Sequence, residues 1–211
     1  MPKGSAELTR ARNEEILNAC AALYESRSFK EITLRDIGEK TTFTRTSIYN
    51  YFHSKEEIFL ALLQREYLAW IDDLQGLPGQ DGPVRARDFA AALAHTLEKR
   101  TLMLKLLAMN LYDMEANTRI ERLVDFKRVY ARSMQVLRGC LERGFPRATQ
   151  EEREGFLYAL YPFLFGIYPY TALTEKQKQA MELAGVPYPR LTVYDIVFGF
   201  VARQLQGLEK A

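Results

Sequence analysis

Hydrogen-bonding side chains are concentrated in one short segment of the chain, between residues 44 and 55. Apolar residues at 37, 43, 48 and 52 are spaced to hold two short helices against a preceding one, so the polar residues between them would point outward. This outward set comprises Arg45, Thr46, Ser47, Tyr49 and Asn50. Hydroxyl, amide and guanidinium groups on an exposed helix tip can bond base edges, which makes the segment a candidate nucleic-acid surface. The alternative is an ordinary solvated helix face.

Four helices are needed to hold this segment in place. An apolar stripe at residues 16, 20, 23 and 24 predicts a first helix over 9–26. Thr33, followed three residues later by Asp36, can cap a second helix over 34–40. After a turn at 41–43, Thr44 can cap a third helix to about residue 51, and Ser54 with Glu57 predicts a capping box for a fourth helix to about residue 74. The two short helices have the size of a helix-turn-helix.

Helical spacing continues to the C-terminus, and strand-like alternation is weak throughout. Three glycines and two prolines in residues 75–83 predict a loop. Further helices are predicted at 84–98, 101–114, 119–143, 150–172, 174–184 and 192–208. The sequence therefore predicts an all-α chain, with an N-terminal three-helix domain containing a helix-turn-helix over 1–54 and a larger C-terminal helical domain over 55–211.

The charge balance by itself does not indicate nucleic-acid binding. The formal net charge is +2, and the first 60 residues hold nine Lys or Arg against nine Asp or Glu. Attraction to phosphate decays within about 10 Å in physiological salt, so it depends on how these charges are distributed over the surface.

Cysteine usage and the N-terminus predict a reducing, cytoplasmic location. Cys20 and Cys140 lie far apart among apolar, helix-forming residues, which favours reduced buried thiols over a disulfide. The first seven residues form a short polar arm without the apolar core of a signal peptide. Residues 156–173 lack charge, but four tyrosines and two prolines interrupt them, so a helix buried in a dimer is preferred to a membrane span.

The sequence gives little support to an enzyme. Its two histidines, His53 and His95, are not part of a metal-ligand pattern, and neither a phosphate-cradling glycine loop nor a nucleophile elbow is present. Adjacent acids such as Glu14 and Glu15 would point about 100° apart on a helix, so they are interpreted as solvated surface. We therefore predict no catalytic residue, metal or cofactor.

Residues 32–58 resemble the N-terminal signature of TetR-family regulators. The most diagnostic part is Ile48-Tyr49-Asn50-Tyr51-Phe52-His53-Ser54-Lys55-Glu56, which matches a pattern of a hydrophobe, Tyr, any residue, Tyr, Phe, any residue, Ser or Asn, Lys and Glu. The resemblance covers residues 9–63; beyond them, only length and helical character match. It implies an all-helical, ligand-released repressor that binds a palindromic operator.

The resemblance also implies which residues contact double-stranded DNA. Some side chains of the helix-turn-helix would face base edges or phosphates, the tyrosines would bring hydroxyl groups to the backbone, and Lys55 would place its ammonium beside a phosphate at the start of the fourth helix. The implied DNA-binding set is Thr33, Thr44, Arg45, Thr46, Ser47, Tyr49, Asn50, Tyr51, His53 and Lys55.

Two positions depart from the family pattern. Thr42 stands in the turn where the family usually has glycine, and Gly38 stands where it usually has a small residue such as alanine. A threonine at a positive φ would be strained by about 1 kcal/mol, so the turn is expected to be strained or remodelled if it needs that geometry.

The C-terminal domain is rich in aromatic residues and methionine, which form adaptable pocket walls but at helical spacing are more often plain core. The candidates for contact with a small apolar or aromatic effector are Trp70, Met109, Tyr112, Phe126, Tyr130, Tyr161, Phe165 and Tyr168. Family resemblance implies a homodimer, whose interface we place at 156–173 and 192–208, and a fourth helix that moves when the effector binds. The competing hypothesis is a helical small-molecule- or partner-binding protein with weak or lost DNA binding.

Overall fold

The chain folds into α-helices joined by short connections. The computed structural model describes residues 3–42, 45–79, 82–109, 111–188 and 190–210, and side chains for 6–42, 47–79, 82–109, 111–188 and 190–209. Over these residues it contains helices and no strand, which confirms the predicted all-α class. The helices are α1 Lys3–Ser26, α2 Leu34–Glu39, α3 Arg45–Ile48, α4 Lys55–Leu74, α5 Ala86–Glu98, α6 Thr101–Leu107, α7 Leu111–Ala116, α8 Ile120–Gly144, α9 Gln150–Thr171, α10 Glu175–Leu183 and α11 Val193–Lys210.

Most predicted helices are present within a few residues of their expected ends. There are three exceptions. The first helix, α1, begins at Lys3 rather than near residue 9, so the predicted polar arm over the first seven residues is wrong from Lys3 onward. The third helix, α3, ends at Ile48 rather than near residue 51, and the helix predicted over 101–114 is divided into α6 and α7. Periodicity missed this division because Ala108 and Met109, which follow α6, are apolar like the helix before them. The predicted core residue Phe43 lies outside the described residues.

The chain packs into two compact units. The first contains Met1–Arg65 with Asn110–Val129, and the second contains Glu66–Met109 with Tyr130–Ala211. Helices α4 and α8 therefore contribute residues to both units. This division by packing is not the division at residue 54 that the sequence suggested, which concerns DNA binding and stays a prediction.

The core of the first unit lies beneath α1. All four residues of the predicted α1 stripe are buried, and they share this core with Ile37, Ile48 and Phe52. The ring of Tyr24 packs edge-on against Phe59, with centroids 5.1 Å apart. The buried set on α1 is Ile16, Cys20, Leu23 and Tyr24. Burial on this scale is what holds such short helices in place, because α2 and α3 are too short to be stable alone.

The second unit is built around α11. This helix packs against α5 and α9, and α6 also packs on α9. Cys140 is buried on α8, and both cysteines are free, as predicted. No single helix in the described ranges is long and apolar enough to cross a bilayer; α9 and α10 meet that criterion only together, and they are bent by 81° at the break between them.

Candidate nucleic-acid interface and effector region

The start of α2 is fixed by the predicted cap. The Thr33 hydroxyl donates to Asp36 Oδ2 at 2.5 Å, and the Asp36 amide donates back to Thr33 Oγ1 at 3.2 Å. The bond from the Thr33 hydroxyl and a second bond from the Thr33 amide, both accepted by the Asp36 carboxylate, lower the pKa of Asp36. Thr33 is exposed at the beginning of α2, so its position is open to a phosphate.

The turn after α2 is fastened to α1. The Thr42 amide donates to the Glu15 carboxylate. No described residue other than glycine has a positive φ, so Thr42 does not need the left-handed geometry that would strain it. The Glu14 carboxylate accepts from Arg65 at 3.1 Å. Glu14 is exposed and Glu15 is half-buried, and each also bonds another part of the first unit, which the sequence did not predict.

Helix α3 and the turn that follows it have a buried side and a polar side. Ile48 and Phe52 are buried, whereas Tyr49 is 42% exposed and Asn50 is exposed. Ser47 and Tyr51 are half-buried, and the Tyr51 hydroxyl accepts from Arg12 at 3.4 Å. Thr44 and the side chains of Arg45 and Thr46 lie outside the described residues. The structure thus brings Ser47, Tyr49 and Asn50 together on a short segment that buried Ile48 and Phe52 hold in place.

Lys55 lies in the first turn of α4, as predicted, but its ammonium faces the α1–α2 connector. The Nζ atom donates to the carbonyl oxygens of Phe29 at 2.8 Å and Ile32 at 3.0 Å. It also lies 4.2 Å from the centroid of the Phe29 ring. His53 is exposed, and its amide donates to the Glu57 carboxylate at 2.8 Å.

The junction between α3 and α4 is held by residues far away in sequence. The Ser54 hydroxyl donates to the Asn117 carbonyl at 3.0 Å, and Arg122 donates to the Tyr51 carbonyl at 3.0 Å. Arg119 makes a two-pronged ion pair with Glu57, through Nε at 2.6 Å and Nη2 at 2.8 Å. We call residues 117–122 the clamp segment. Sequence reasoning missed it, and the only signal was a pair of arginines one turn apart.

Glu57 is the buried partner in this junction. Burial raises its pKa, but the bonds from Arg119 and from the His53 amide outweigh that effect and lower the pKa from 4.5 to about 2. The Ser54 hydroxyl accepts from the Glu57 amide at 3.1 Å, as the predicted cap requires. In a complete capping box the Glu57 carboxylate would accept a bond from the Ser54 amide. Here it accepts from the His53 amide instead, and it also accepts from Arg119.

Three of the eight predicted effector contacts form an aromatic cluster in the second unit. Trp70 lies 6.0 Å from Tyr161, and Tyr130 lies 5.3 Å from Tyr161. Tyr67, which the prediction omitted, joins them at 5.8 Å from Tyr130. The Trp70 indole donates to Thr96 at 3.0 Å, and the Tyr161 hydroxyl bonds Ser133 at 2.8 Å. The Trp70 indole and the Tyr161 hydroxyl therefore have hydrogen-bond partners inside the second unit.

The other five candidates are dispersed. Phe165 and Tyr168 are half-buried on α9, and Met109 is half-buried after α6. Phe126 is buried and Tyr112 is 87% exposed, and both belong to the first unit. Their shared chemistry was the basis of the prediction, and chemistry alone did not indicate which unit each residue joins.

A large apolar cavity lies elsewhere in the second unit, among α9, α10, α11 and the α10–α11 connection. Its volume is about 770 Å³, and the described lining includes none of the eight predicted residues. Helix α10, which covers one side, has no buried residue within its bounds. The principal apolar lining residues are Phe163, Ile167, Tyr170, Met181, Leu191 and Ile196.

A metal-binding site requires several ligand side chains close together. Within the part of the chain that the structure describes, no group of three or more His, Cys, Asp or Glu could hold a metal ion.

Comparison with known families identifies the class. Residues 16–62 match the family model described as bacterial regulatory proteins, tetR family, and residues 64–211 match the model described as tetracyclin repressor-like, C-terminal domain. The chain therefore belongs to the tetR family of regulators. This is a class of DNA-binding transcriptional regulators rather than enzymes.

Individual relatives agree with this assignment. The chain is 33% identical over 63 residues to the uncharacterized HTH-type transcriptional regulator YfiR of Bacillus subtilis, covering 30% of this chain and 31% of that protein. It is 32% identical over 89 residues to the HTH-type transcriptional repressor KstR2 of Mycobacterium tuberculosis, covering 42% of this chain and 38% of that protein. The matches thus span about a third of the length of these relatives.

Solved structures show the same fold over nearly the whole chain. A possible TetR family transcriptional regulator from Streptomyces coelicolor superposes with a TM-score of 0.66 at 17% identity, covering 94% of this chain and 98% of that one. The fatty acid degradation regulator FadR from Bacillus halodurans gives a TM-score of 0.55 at 14% identity, covering 93% and 94%.

Proposed function

We propose that this protein is a repressor that binds a palindromic DNA operator as a homodimer and is released by a small apolar or aromatic effector. The observation that supports it best is the polar surface of α3 and the turn after it, within the tetR-family match. There Ser47, Tyr49 and Asn50 lie next to buried Ile48 and Phe52. Operator binding requires the compartment that holds DNA, so the proposal places the protein in the cytoplasm.

The side chains around α3 would contact the operator. Tyr49 and Asn50 would lie against base edges or the adjacent backbone, because both are exposed directly after α3. Thr33 and Tyr51 would contact phosphates and so position the helix-turn-helix on the operator. Thr44, Arg45, Thr46, Ser47 and His53 complete the proposed DNA contacts.

Exposed tyrosines on α9 and half-buried apolar residues on α11 support the homodimer. Tyr158 and Tyr170 are exposed on α9, and the stacked rings of Phe163 and Phe200 link the two helices with centroids 3.9 Å apart. A Cβ added at Gly166 or at Gly199 would meet no atom within 4 Å, so a second copy could approach closely there. A two-fold dimer also matches the two half-sites of a palindrome.

The aromatic cluster around Tyr161 supports an apolar or aromatic effector. Trp70, Tyr130 and Tyr161 are contributed by three different helices, so a ligand inserted among them would displace α4, α8 or α9. Opening the cluster would require the ligand to replace the Trp70–Thr96 and Tyr161–Ser133 bonds, which favours a ring carrying a hydrogen-bonding group.

A selection of DNA fragments by the purified protein tests the proposal. The library contains random duplexes and the DNA flanking the protein's own gene, at a stated salt concentration. We expect a palindrome to be recovered, and we expect Tyr49→Ala to weaken binding to it at least several-fold while the variant stays folded by circular dichroism. Recovery of no specific sequence would favour instead a helical small-molecule- or partner-binding protein.

A further inference from the structure

The ammonium group of Lys55 is already used inside the first unit. Its two bonds go to backbone carbonyls of the α1–α2 connector, those of Phe29 and Ile32, at 2.8 and 3.0 Å. The charge also lies over the Phe29 ring, at a distance typical of a cation–π interaction. An ammonium has three N–H donors, so two of them are used by the connector.

These bonds join the two ends of the helix-turn-helix. Ile32, whose carbonyl accepts from Lys55, directly precedes Thr33, which caps α2. The Phe29 ring in turn packs edge-on against Phe59 of α4, with centroids 4.9 Å apart. In the first two turns of α4, Lys55 thus bonds the backbone of the connector and Phe59 packs on the Phe29 ring. The connector leads directly into the cap of α2, so its position determines where α2 begins.

The geometry points to Lys55 as a positioning residue for DNA binding rather than a phosphate ligand. It acts through the connector and the cap of α2, and it reverses the role that family resemblance implies for this lysine. This inference rests on the proposed operator binding, since positioning matters only if α2 and α3 dock on DNA.

Salt dependence of operator binding distinguishes the two roles. Each lysine bound to a phosphate contributes about 0.9 to the slope of log affinity against log salt, so removing one such lysine from each head of a dimer would lower the slope by about 1.8. Lys55→Met removes the charge and keeps an unbranched side chain. We expect affinity to fall at least about fivefold with the slope changed by less than about one. A larger decrease in slope, or unchanged affinity, overturns the inference.

A measurement without DNA tests the structural half. Amides in the connector are bonded, with Glu31 donating to the Ser28 carbonyl at 3.1 Å and Thr33 donating to Asp36 at 2.8 Å. In Lys55→Met we expect hydrogen exchange of peptides covering residues 28–36 to become about tenfold faster. The matched control is Lys40→Met, which removes the same charge at the opposite, C-terminal end of α2.

The two measurements separate failure of this inference from failure of the proposed function. If the unaltered protein selects no operator, the proposed function fails, and connector exchange still reports whether Lys55 holds the connector. If exchange in Lys55→Met equals that of the unaltered protein, or if Lys40→Met accelerates it equally, the positioning role is overturned even where operator binding is found.

Discussion

At the scale of single residues, the Glu57 carboxylate at the start of α4 joins the helix-turn-helix to the clamp segment. It is 1% exposed, and it accepts bonds from the His53 amide and from the amide and guanidinium of Arg119. A buried carboxylate is tolerated only when such donors replace water. The main effect of the Glu57–Arg119 ion pair is therefore to avoid the free-energy cost of a buried, unpaired carboxylate, rather than to add a large attraction.

Removing Arg119 should expose that penalty. Arg119→Met leaves the buried carboxylate of Glu57 with fewer donors, so we expect the free energy of unfolding at pH 7 to fall by about 3 kcal/mol. Urea unfolding followed by circular dichroism measures it. The control is Arg128→Met, which removes an exposed arginine of α8 and its ion pair with Asp125, and should cost less than about 1 kcal/mol. Equal losses in the two variants would contradict the assigned role.

The same carboxylate makes stability depend on acidity. Its folded pKa is about 2 against 4.5 in the unfolded chain, so the folded protein binds its proton less readily. The contribution of Glu57 is fully present above about pH 4.5, declines as pH falls and is gone below about pH 2, and it amounts to about 3 kcal/mol.

Comparison with Glu57→Gln isolates this effect, since other carboxylates such as those of Asp36 and Glu154 also have lowered pKa values. Between about pH 5 and pH 3 the free energy of unfolding should fall less steeply for the variant than for the unaltered protein. Parallel curves for the two proteins would show that the pKa of Glu57 is the same in the folded and unfolded states.

At the scale of elements, the loop after α4 is fitted closely to the end of α8. Gly79 has a φ of +103°, and a Cβ there would lie 2.9 Å from the Cα of Gly144. The Val84 amide donates to the Gly144 carbonyl at 3.0 Å. The absence of a side chain at Gly79 therefore allows the backbone of this loop to contact the backbone of α8 at Gly144.

A pair of substitutions separates conformation from close approach in this loop. Gly79→Ala and Gly82→Ala both place a side chain at a positive φ, but a Cβ at Gly82 meets no atom within 4 Å. We expect both to destabilise the protein, and Gly79→Ala to cost about 1 kcal/mol more because of the clash with Gly144. Thermal unfolding of the two variants gives the difference. Identical melting temperatures would mean that the loop moves away without cost.

At the scale of the whole molecule, apolar residues of α9 and α11 are only partly covered within the second unit. Phe163, Tyr170 and Ile196 line a cavity there, and α10 has no buried residue within its bounds. Apolar surface of this kind on a regulator is expected to be covered by a partner. The proposed homodimer would supply that cover, and a charge placed in this face should prevent it.

Gly166→Arg tests the dimer directly. An added side chain at Gly166 meets no atom of its own chain within 4 Å, so the subunit should fold normally while the charged group blocks the approach of a second copy. We expect sedimentation to show a monomer at concentrations where the unaltered protein is a dimer. Ala22→Arg, at an exposed position of α1, adds the same charge as a control and should remain dimeric. A dimeric Gly166→Arg would exclude this part of α9 from the interface.

The sequence by itself determined the features that are local. Helix ends at Thr33 and Ser54, the buried stripe of α1 and the polar side of α3 all follow from spacing and capping within a few residues, and so does the signature of the tetR family. Only the tertiary structure decided the partners: Arg119 for Glu57, the connector carbonyls for Lys55, and the division of the aromatic candidates between two units. The physical reason is that periodicity shows which face of a helix is buried, whereas packing between distant segments determines what that face meets.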